Sequence, residues 1–395
     1  MRSQATLNLL ERNHRLPMPA RFRCLMLFDL VPWFCFLMLT QACFGEESVE
    51  LPTGPSPVES SKLEGYETSF SAMGSTMSII VYTESEVSAT KAFEEVRVEV
   101  TRLNDIMTDY EPDSELNQAL LRASSPTRLS IDLWNVLVAS RLWAKRTDGA
   151  FDASVGALTR LWRTARRIKT PPSHQAIEHA KTVAGWQHVL LDPTLQTLQV
   201  DMKELRIDLG GIAAGYIIDA AFEVMKRNDL AICLINAGGD IRCGDPPPGR
   251  NGWRIEVAPI AGVKKNQKDA LINDSGSLPL RRIYLSNVSI VTSGDLWQFS
   301  EFDGVRRSHI IDPKTGIGVP GPSVVAVISK KCVDADAAAT AISVMGIEKG
   351  MLFASQQSDL DALMVVRNPK TDELDFRVTE GFPKGIFHPK SHGDD

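Results

Sequence analysis

"LRIDLGGIAAGYIIDAAFEVMKRN", Leu205 to Asn228, is the stretch on which the reading of the fold turns. The apolar run Leu205–Leu209 predicts a strand, Gly210-Gly211 a turn, and the rest a helix ending near Asn228. In a strand, glycine turn and helix of this kind, backbone N–H groups can approach a phosphate closely, and the helix N-terminus favours an anion. Asp208 would stand at the end of the strand. A tight structural turn accounts for the same residues, and a glycine pattern on its own does not choose between the two.

Upstream, "YETSFSAMGSTMSIIVYT" (66–83) predicts two strands around a Gly-Ser turn. Ser85–Ile106 has Ala89, Phe93, Val96, Val100 and Leu103 at three- and four-residue spacing, a helical pattern. Ile131–Arg146 predicts a second amphipathic helix and residues 187–200 a hairpin. Downstream, "AICLINAGGDIRCG", "GWRIEV", "RRIYLSNVSIVTSGD" and "WQFSEFDGVRRSHIID" predict strands, the last broken by the turn signal "FDG". The strand "SVVAVIS", helices over about 334–345 and 347–355, and the strand "ALMVV" follow. Residues 264–278, "KKNQKDALINDSGSL", read as a polar surface excursion. Strands and helices interleave without the regular alternation of a Rossmann or barrel fold. The class is therefore α+β, or mixed α/β: one catalytic unit, with or without division into two lobes.

The chain has 395 residues, 43% apolar and 23% charged, an ordinary globular balance. Its net charge of −6 and the absence of a basic stripe argue against nucleic acid as a partner. Cys24–Phe44, "CLMLFDLVPWFCFLMLTQACF", is an apolar segment preceded by Arg12, Arg15, Arg21 and Arg23, which is the pattern of an export signal. Asp29 and Pro32 disfavour a stable spanning helix. "LTQAC" also resembles a bacterial lipobox with Cys43 as the lipidated residue, although the leucine is one position too far away and Gln41 is bulky. Residues 1–45 therefore predict either an export signal or a lipoprotein-type signal. The mature chain would be periplasmic or attached to the outer face of the inner membrane. Removing residues 1–45 takes away five arginines and two acids and leaves a net charge near −9. Residues 46–65, rich in Glu, Ser and Pro, read as a disordered tether. Of six cysteines only Cys233, Cys243 and Cys332 lie in the body, with no CxxC. They read as small buried apolar residues, a Cys233–Cys243 pair being the alternative.

Several stretches can carry chemistry. In "VDADAAATAIS" (333–343), Asp336 and Thr340 are spaced i, i+4 on one helix face. A carboxylate and a hydroxyl are hard oxygen donors suited to part of a Mg²⁺ shell. The alternative is that Asp334 or Asp336 caps the helix and Thr340 packs inward. "SHIIDPKTG" (308–316) sets His309 three residues before an Asp-Pro turn. "NAGGDIRCG" places Gly238-Gly239 between strands, and "VTSGD" ends one at Ser293, Gly294 and Asp295. In "YEPDSELN", Asp113 or Ser114 can cap a short helix, while Tyr110 either stacks on a ring or packs. "DGAFDASVG" carries Asp152 beside Phe151.

Together, "MGSTMSI", "YEPDSELN", "GAFDASVGALTRLW", "IDLGGIAAGYIID", "NAGGDIR", "TSGD", "SHIIDPKTG" and "DADAAATAISVMG" resemble, in order and spacing, the FAD:protein FMN transferases, the ApbE-type flavin transferases. The resemblance covers residues 66–380, leaving 381–395 as a C-terminal tail. It implies that fold, and a reaction that cleaves the pyrophosphate of FAD. FMN would pass to a Thr or Ser hydroxyl of an acceptor flavoprotein subunit, with release of AMP and dependence on Mg²⁺. By the same resemblance Asp336, Thr340 and the carbonyl of Gly211 match metal ligands, and His309 the general base. Met73, Tyr110, Ala150, Phe151, Asp152 and Asp208 match positions that line the FAD site. Many members carry Lys at the fifth position of "GGIAKG", where this chain has Ala214. Two alternatives share the residues: a pyrophosphatase delivering FMN to water, and a non-catalytic periplasmic flavin-binding protein. The presence of His309, Asp336 and Thr340 together speaks against the second.

Overall fold

Ser323–Ser329 is buried along its whole length, and this places it at the centre of the molecule. Val325 and Val327 join one apolar cluster, while Val324, Ala326 and Ile328 join another. A strand that is apolar at every position has to be covered on both faces, since successive side chains point to opposite sides. The computed structural model describes residues 63–257, 281–294, 299–302, 304–368, 371, 374–384 and 386–387, all within a unit running from Glu59 to Asp395.

The central sheet has eight strands, in the order Glu64–Ala72, Ser75–Thr83, Cys233–Ala237, Asp240–Cys243, Ser289–Gly294, Ser323–Ser329, Leu360–Arg367 and Leu374–Val378. Every neighbouring pair is antiparallel. The α-helices of the described residues are α1 (Glu86–Met107), α2 (Glu115–Arg122), α3 (Ile131–Arg146), α4 (Gly156–Ile168), α5 (His174–Thr182), α6 (Ala213–Arg227) and α7 (Cys332–Ser355). Of these α1, α6 and α7 supply the largest helical share of the cluster that includes Ile79, Val81 and Ile235 of the sheet. On the other face Trp253, Ile255, Val257, Ile283 and Leu285 of a small sheet pack against Leu234, Ile290 and Val365. The arrangement is α+β, as the interleaved pattern implies.

Helix α7 is long and apolar enough to cross a membrane, but half of it is buried against α6 and the central sheet, as suits a core helix. Its start is fixed by α6. Gly215 lies so close that a Cβ there would come 2.4 Å from the carbonyl oxygen of Cys332. One turn further along α6, Asp219 accepts hydrogen bonds from the N–H groups of Cys332 (2.9 Å) and Val333 (3.0 Å). The cap is therefore supplied from another helix, and the alternative in which Asp334 or Asp336 caps α7 is overturned. Asp334 instead accepts from Trp143 Nε1 at 3.0 Å. Gly346 adopts φ 76°, ψ 174° and breaks the helix where two helices were expected.

Other expectations need correction. Leu205–Leu209 is not a strand. Leu205, Ile207 and Leu209 are buried, but the segment is held by a single parallel bridge, Val155 to Arg206, with Asp208 N–H bonded to the Ala153 carbonyl at 2.8 Å. Its polar backbone is satisfied by the turn at 153–156 rather than by a neighbouring strand. The first hairpin turns on Met73-Gly74, both at positive φ, one residue earlier than a Gly-Ser turn. Helices α4 and α5 were not anticipated. Cys233, Cys243 and Cys332 are buried free thiols, so the Cys233–Cys243 pair is not formed, and burial pushes the first two up to about 12. The signal, the tether to residue 62, the polar excursion and Asp295 lie outside the described residues.

Removing the imported cap should be felt throughout the core. Asp219→Ala is expected to cost about 1–2 kcal/mol of stability, the upper range for a helix cap, and Asp219→Asn less because it keeps an acceptor. Urea unfolding measures both, and an unchanged midpoint for Asp219→Ala would remove the cap from the account.

Candidate active site

The starts of α6 and α7 bring three expected metal-site residues together. Asp336 is buried on the first turns of α7, and its Oδ2 accepts the Gly215 N–H at 3.1 Å. Thr340, one turn on, lies against Gly211: a Cβ built on Gly211 would stand 2.8 Å from Thr340 Oγ1 and 3.4 Å from the Phe151 ring. Only a glycine leaves that space open. Asp240, half-buried at the start of Asp240–Cys243, accepts the Thr292 N–H at 3.4 Å and lies close enough for its charge to act on Asp336. Burial chiefly, and then the charge of Asp240, push the Asp336 carboxyl well above its ordinary range against one opposing N–H. Burial pushes Asp240 up to about 7. Two carboxylates near each other, which among the described residues accept from backbone N–H groups, are stabilised as anions when a cation enters. The donor set of carboxylate, hydroxyl and the Gly211 backbone is all hard oxygen and fits a small divalent ion.

The segment 150–154 forms the next part. Ala150 and Phe151 are buried, while Asp152 is half-buried and turns back on Ser154, accepting from its N–H (2.8 Å) and Oγ–H (2.6 Å). Burial raises the Asp152 carboxyl despite those bonds. Met73 sits half-buried in the first turn, and Ser75 beside it adjoins the Gly238 turn, whose N–H bonds the Thr76 carbonyl at 3.3 Å. Ala214, in the first turn of α6, is half-buried and supplies no charge.

A further cluster joins Tyr110 to Asp208. Arg163 of α4 bonds Asp109 through one arm of its guanidinium and Asp208 Oδ2 through the other at 2.7 Å, and its centre lies 4.5 Å from the Tyr110 ring centroid. Asp208 Oδ1 accepts the Gly210 N–H at 2.8 Å, which ties the cluster to the glycine turn. Burial and the neighbouring Asp208 raise the Asp109 carboxyl, in that order, against the pull of Arg163.

His309 is exposed between buried Ser308 and Ile310. The turn after it closes on itself: Asp312 accepts from Lys314 N–H (2.9 Å) and Thr315 Oγ–H (2.9 Å), and the Gly316 N–H bonds the Asp312 carbonyl at 2.8 Å. The turn is docked on the 148–162 region through Lys314 Nζ to Asp148 (2.7 Å) and Trp162 Nε1 to the Gly316 carbonyl (2.7 Å). Thus "SHIIDPKTG" and "GAFDASVG" are spatial neighbours, and the turn is closed by Asp312 itself.

Sequence reasoning did not single out Arg163, Asp109, Asp219 or Asp240. Arg163 meets carboxylates 54 and 45 residues away, a pairing that no local pattern announces. Asp219 had a signal: it follows Gly215 by four residues, on the α6 face that the glycine opens to α7.

Residues 73–364 match the model of the ApbE family. The chain is similar to a FAD:protein FMN transferase of Vibrio cholerae serotype O1, 30% identical over 309 residues that cover 76% of this chain and 86% of the relative. One from Klebsiella pneumoniae is 29% identical, covering 77% and 90%. Among solved structures, the flavin transferase ApbE from Vibrio cholerae superposes with a TM-score of 0.71 at 28% identity, over 82% of this chain and all of the other. The apo form of the Pseudomonas stutzeri flavinyl transferase ApbE gives 0.68 at 26%, over 81% and 95%.

The raised Asp240 carboxyl has a consequence in the metal-free protein. The folded chain keeps this proton up to about pH 7, whereas the unfolded chain loses it near ~4. Native protein therefore binds more protons in that window, and stability falls as pH rises through it. Asp240→Asn should remove this part of the decline. Thermal unfolding in chelator between pH 4 and 7 tests it, and parallel profiles for parent and variant would refute it.

Proposed function

The chain belongs to the ApbE family, and on that premise we propose that it moves the FMN moiety of FAD onto a Thr or Ser hydroxyl of another protein, with release of AMP and dependence on Mg²⁺. It is a FAD:protein FMN transferase, as its relatives are named. The finer reading rests above all on the meeting of Asp336, Thr340 and Gly211 between the starts of α6 and α7.

In this reading the acceptor hydroxyl attacks the flavin-side phosphorus. The new P–O bond forms as the bond from that phosphorus to the bridging oxygen breaks, and AMP leaves with the bridging oxygen. His309, exposed beside a self-closed turn, takes the hydroxyl proton. Imidazole is the side chain most often used as a general base. Asp336, Thr340 and the Gly211 carbonyl would hold Mg²⁺. When bound, that ion neutralises charge developing on the non-bridging oxygens and the leaving phosphate. Asp240 adds a second negative charge beside Asp336. The FAD itself would lie among Met73, Tyr110, Ala150–Asp152 and Asp208, with no cation contributed at Ala214. The basic and apolar N-terminal segment supports export, so the acceptor would be an exported flavoprotein subunit met outside the cytoplasm, with membrane attachment through the N-terminus if Cys43 is lipidated.

The decisive experiment incubates the protein with FAD, Mg²⁺ and candidate acceptors and weighs the acceptor by mass spectrometry. An added FMN mass supports transfer, whereas free FMN without an adduct means hydrolysis. Asp336→Ala should abolish the metal-dependent reaction, because a methyl group cannot replace an anionic ligand, while Thr340→Ala should be milder since water can take its place. A folded Asp336→Ala protein with full activity would overturn the metal assignment. His309→Asn should keep FAD affinity near normal while single-turnover transfer falls by about 10²–10⁴. An unchanged rate and pH profile would show that His309 is not the base.

A further inference from the structure

The guanidinium of Arg163 is committed on three sides. It bonds Asp109 and Asp208, and its centre sits over the Tyr110 ring, 4.5 Å from the centroid. Each partner comes from a different place in the chain: Asp109 and Tyr110 from the loop after α1, Asp208 from the segment before α6, and Arg163 from α4. A guanidinium fork holds two carboxylates in fixed relative positions and at the same time offers a flat cationic face to an aromatic ring. The Tyr110 ring has one face on Arg163, yet the residue is 71% exposed, so its other face is open. An exposed aromatic ring is normally free to rotate, and this one is held.

We propose that Arg163 is a positioning residue that makes Tyr110 and Asp208 into a platform for one of the planar rings of FAD. The inference rests on the flavin-transferase reading. The ring stacks on the open face of Tyr110, and Asp208 accepts a hydrogen bond from an N–H at its edge. Asp208 has acceptor capacity to spare, since among the described residues its oxygens receive the Gly210 N–H and Arg163, and a carboxylate can take about four hydrogen bonds. Charge decides against a phosphate here: two carboxylates and one guanidinium carry a net negative charge. The pyrophosphate belongs with the α6 and α7 starts, and this cluster suits an uncharged ring with donors on its edge. Flavin and adenine share that chemistry.

The test uses Arg163→Met, Arg163→Lys, Tyr110→Leu and the Arg163→Met/Tyr110→Leu double variant in the full chain with Mg²⁺ present. Riboflavin and FAD binding are read by flavin fluorescence and AMP binding by calorimetry, alongside the melting temperature. Arg163→Met should weaken FAD binding about tenfold, with the loss repeated for riboflavin or for AMP, whichever carries the stacked ring. Arg163→Lys keeps a charge but neither the fork nor the plane. It should recover stability without recovering ring affinity, and raise KM for FAD more than it lowers kcat. The double variant should bind no more weakly than Tyr110→Leu alone, because the two residues act as one unit. Parental affinities for FAD, riboflavin and AMP in folded Arg163→Lys, or losses from Arg163 and Tyr110 that simply add, would overturn the platform. A parent protein that binds no FAD at all would overturn the flavin-transferase reading and this inference together.

Discussion

The approach of α6 to α7 is the contact on which the rest depends. At Gly215 the two helices come so near that a methyl group would overlap the carbonyl of Cys332. That nearness lets one helix serve the other: Asp219 of α6 caps α7, and the Gly215 N–H reaches Asp336 of α7. A buried carboxylate needs hydrogen bonds to persist, and a buried helix start needs acceptors for its N–H groups. One close crossing satisfies both needs and sets Thr340 against Gly211. The candidate metal site is thus part of the packing.

The sheet under these helices is covered on both faces, so its strands cannot slip. A one-residue shift of Ser323–Ser329 would exchange Val325 and Val327 for Val324, Ala326 and Ile328 between two differently shaped clusters. The hairpins that carry Met73 and Gly238-Gly239 adjoin because their strands are neighbours in that sheet. Asp240 enters the site for the same reason: it is the first residue after the second of these turns.

Two pairs of carboxylates stand near each other in this protein and are treated differently. Between Asp109 and Asp208 a guanidinium supplies the balancing charge, and the result is a fixed cluster. At Asp336 and Asp240 the donors among the described residues are backbone N–H groups, and both carboxyls are pushed upward. The first arrangement suits a scaffold that orients neighbours, whereas the second suits the reception of a cation.

The α+β class, the helices α1 and α3, the break at Gly346 and the strand Ser323–Ser329 were all legible in the sequence, because each is governed by local periodicity or by one backbone-permissive residue. The motifs containing Gly211, Asp336 and Thr340 could be recognised from their order along the chain. Their meeting could not be derived from spacing, since Gly211 lies in the turn before α6 and Thr340 on α7. Leu205–Leu209 looked like a strand because burial produces the same apolar run whether or not a partner strand is present. The alternative in which Asp334 or Asp336 caps α7 fails for a related reason: both are near the helix start in sequence, but Asp219 reaches it in space. Arg163 was invisible because ion pairs across 54 and 45 residues leave no trace in local pattern. Local propensity and the order of motifs are properties of the chain. Which carboxylate receives a guanidinium, and which a helix N-terminus, is settled only when distant segments are packed together.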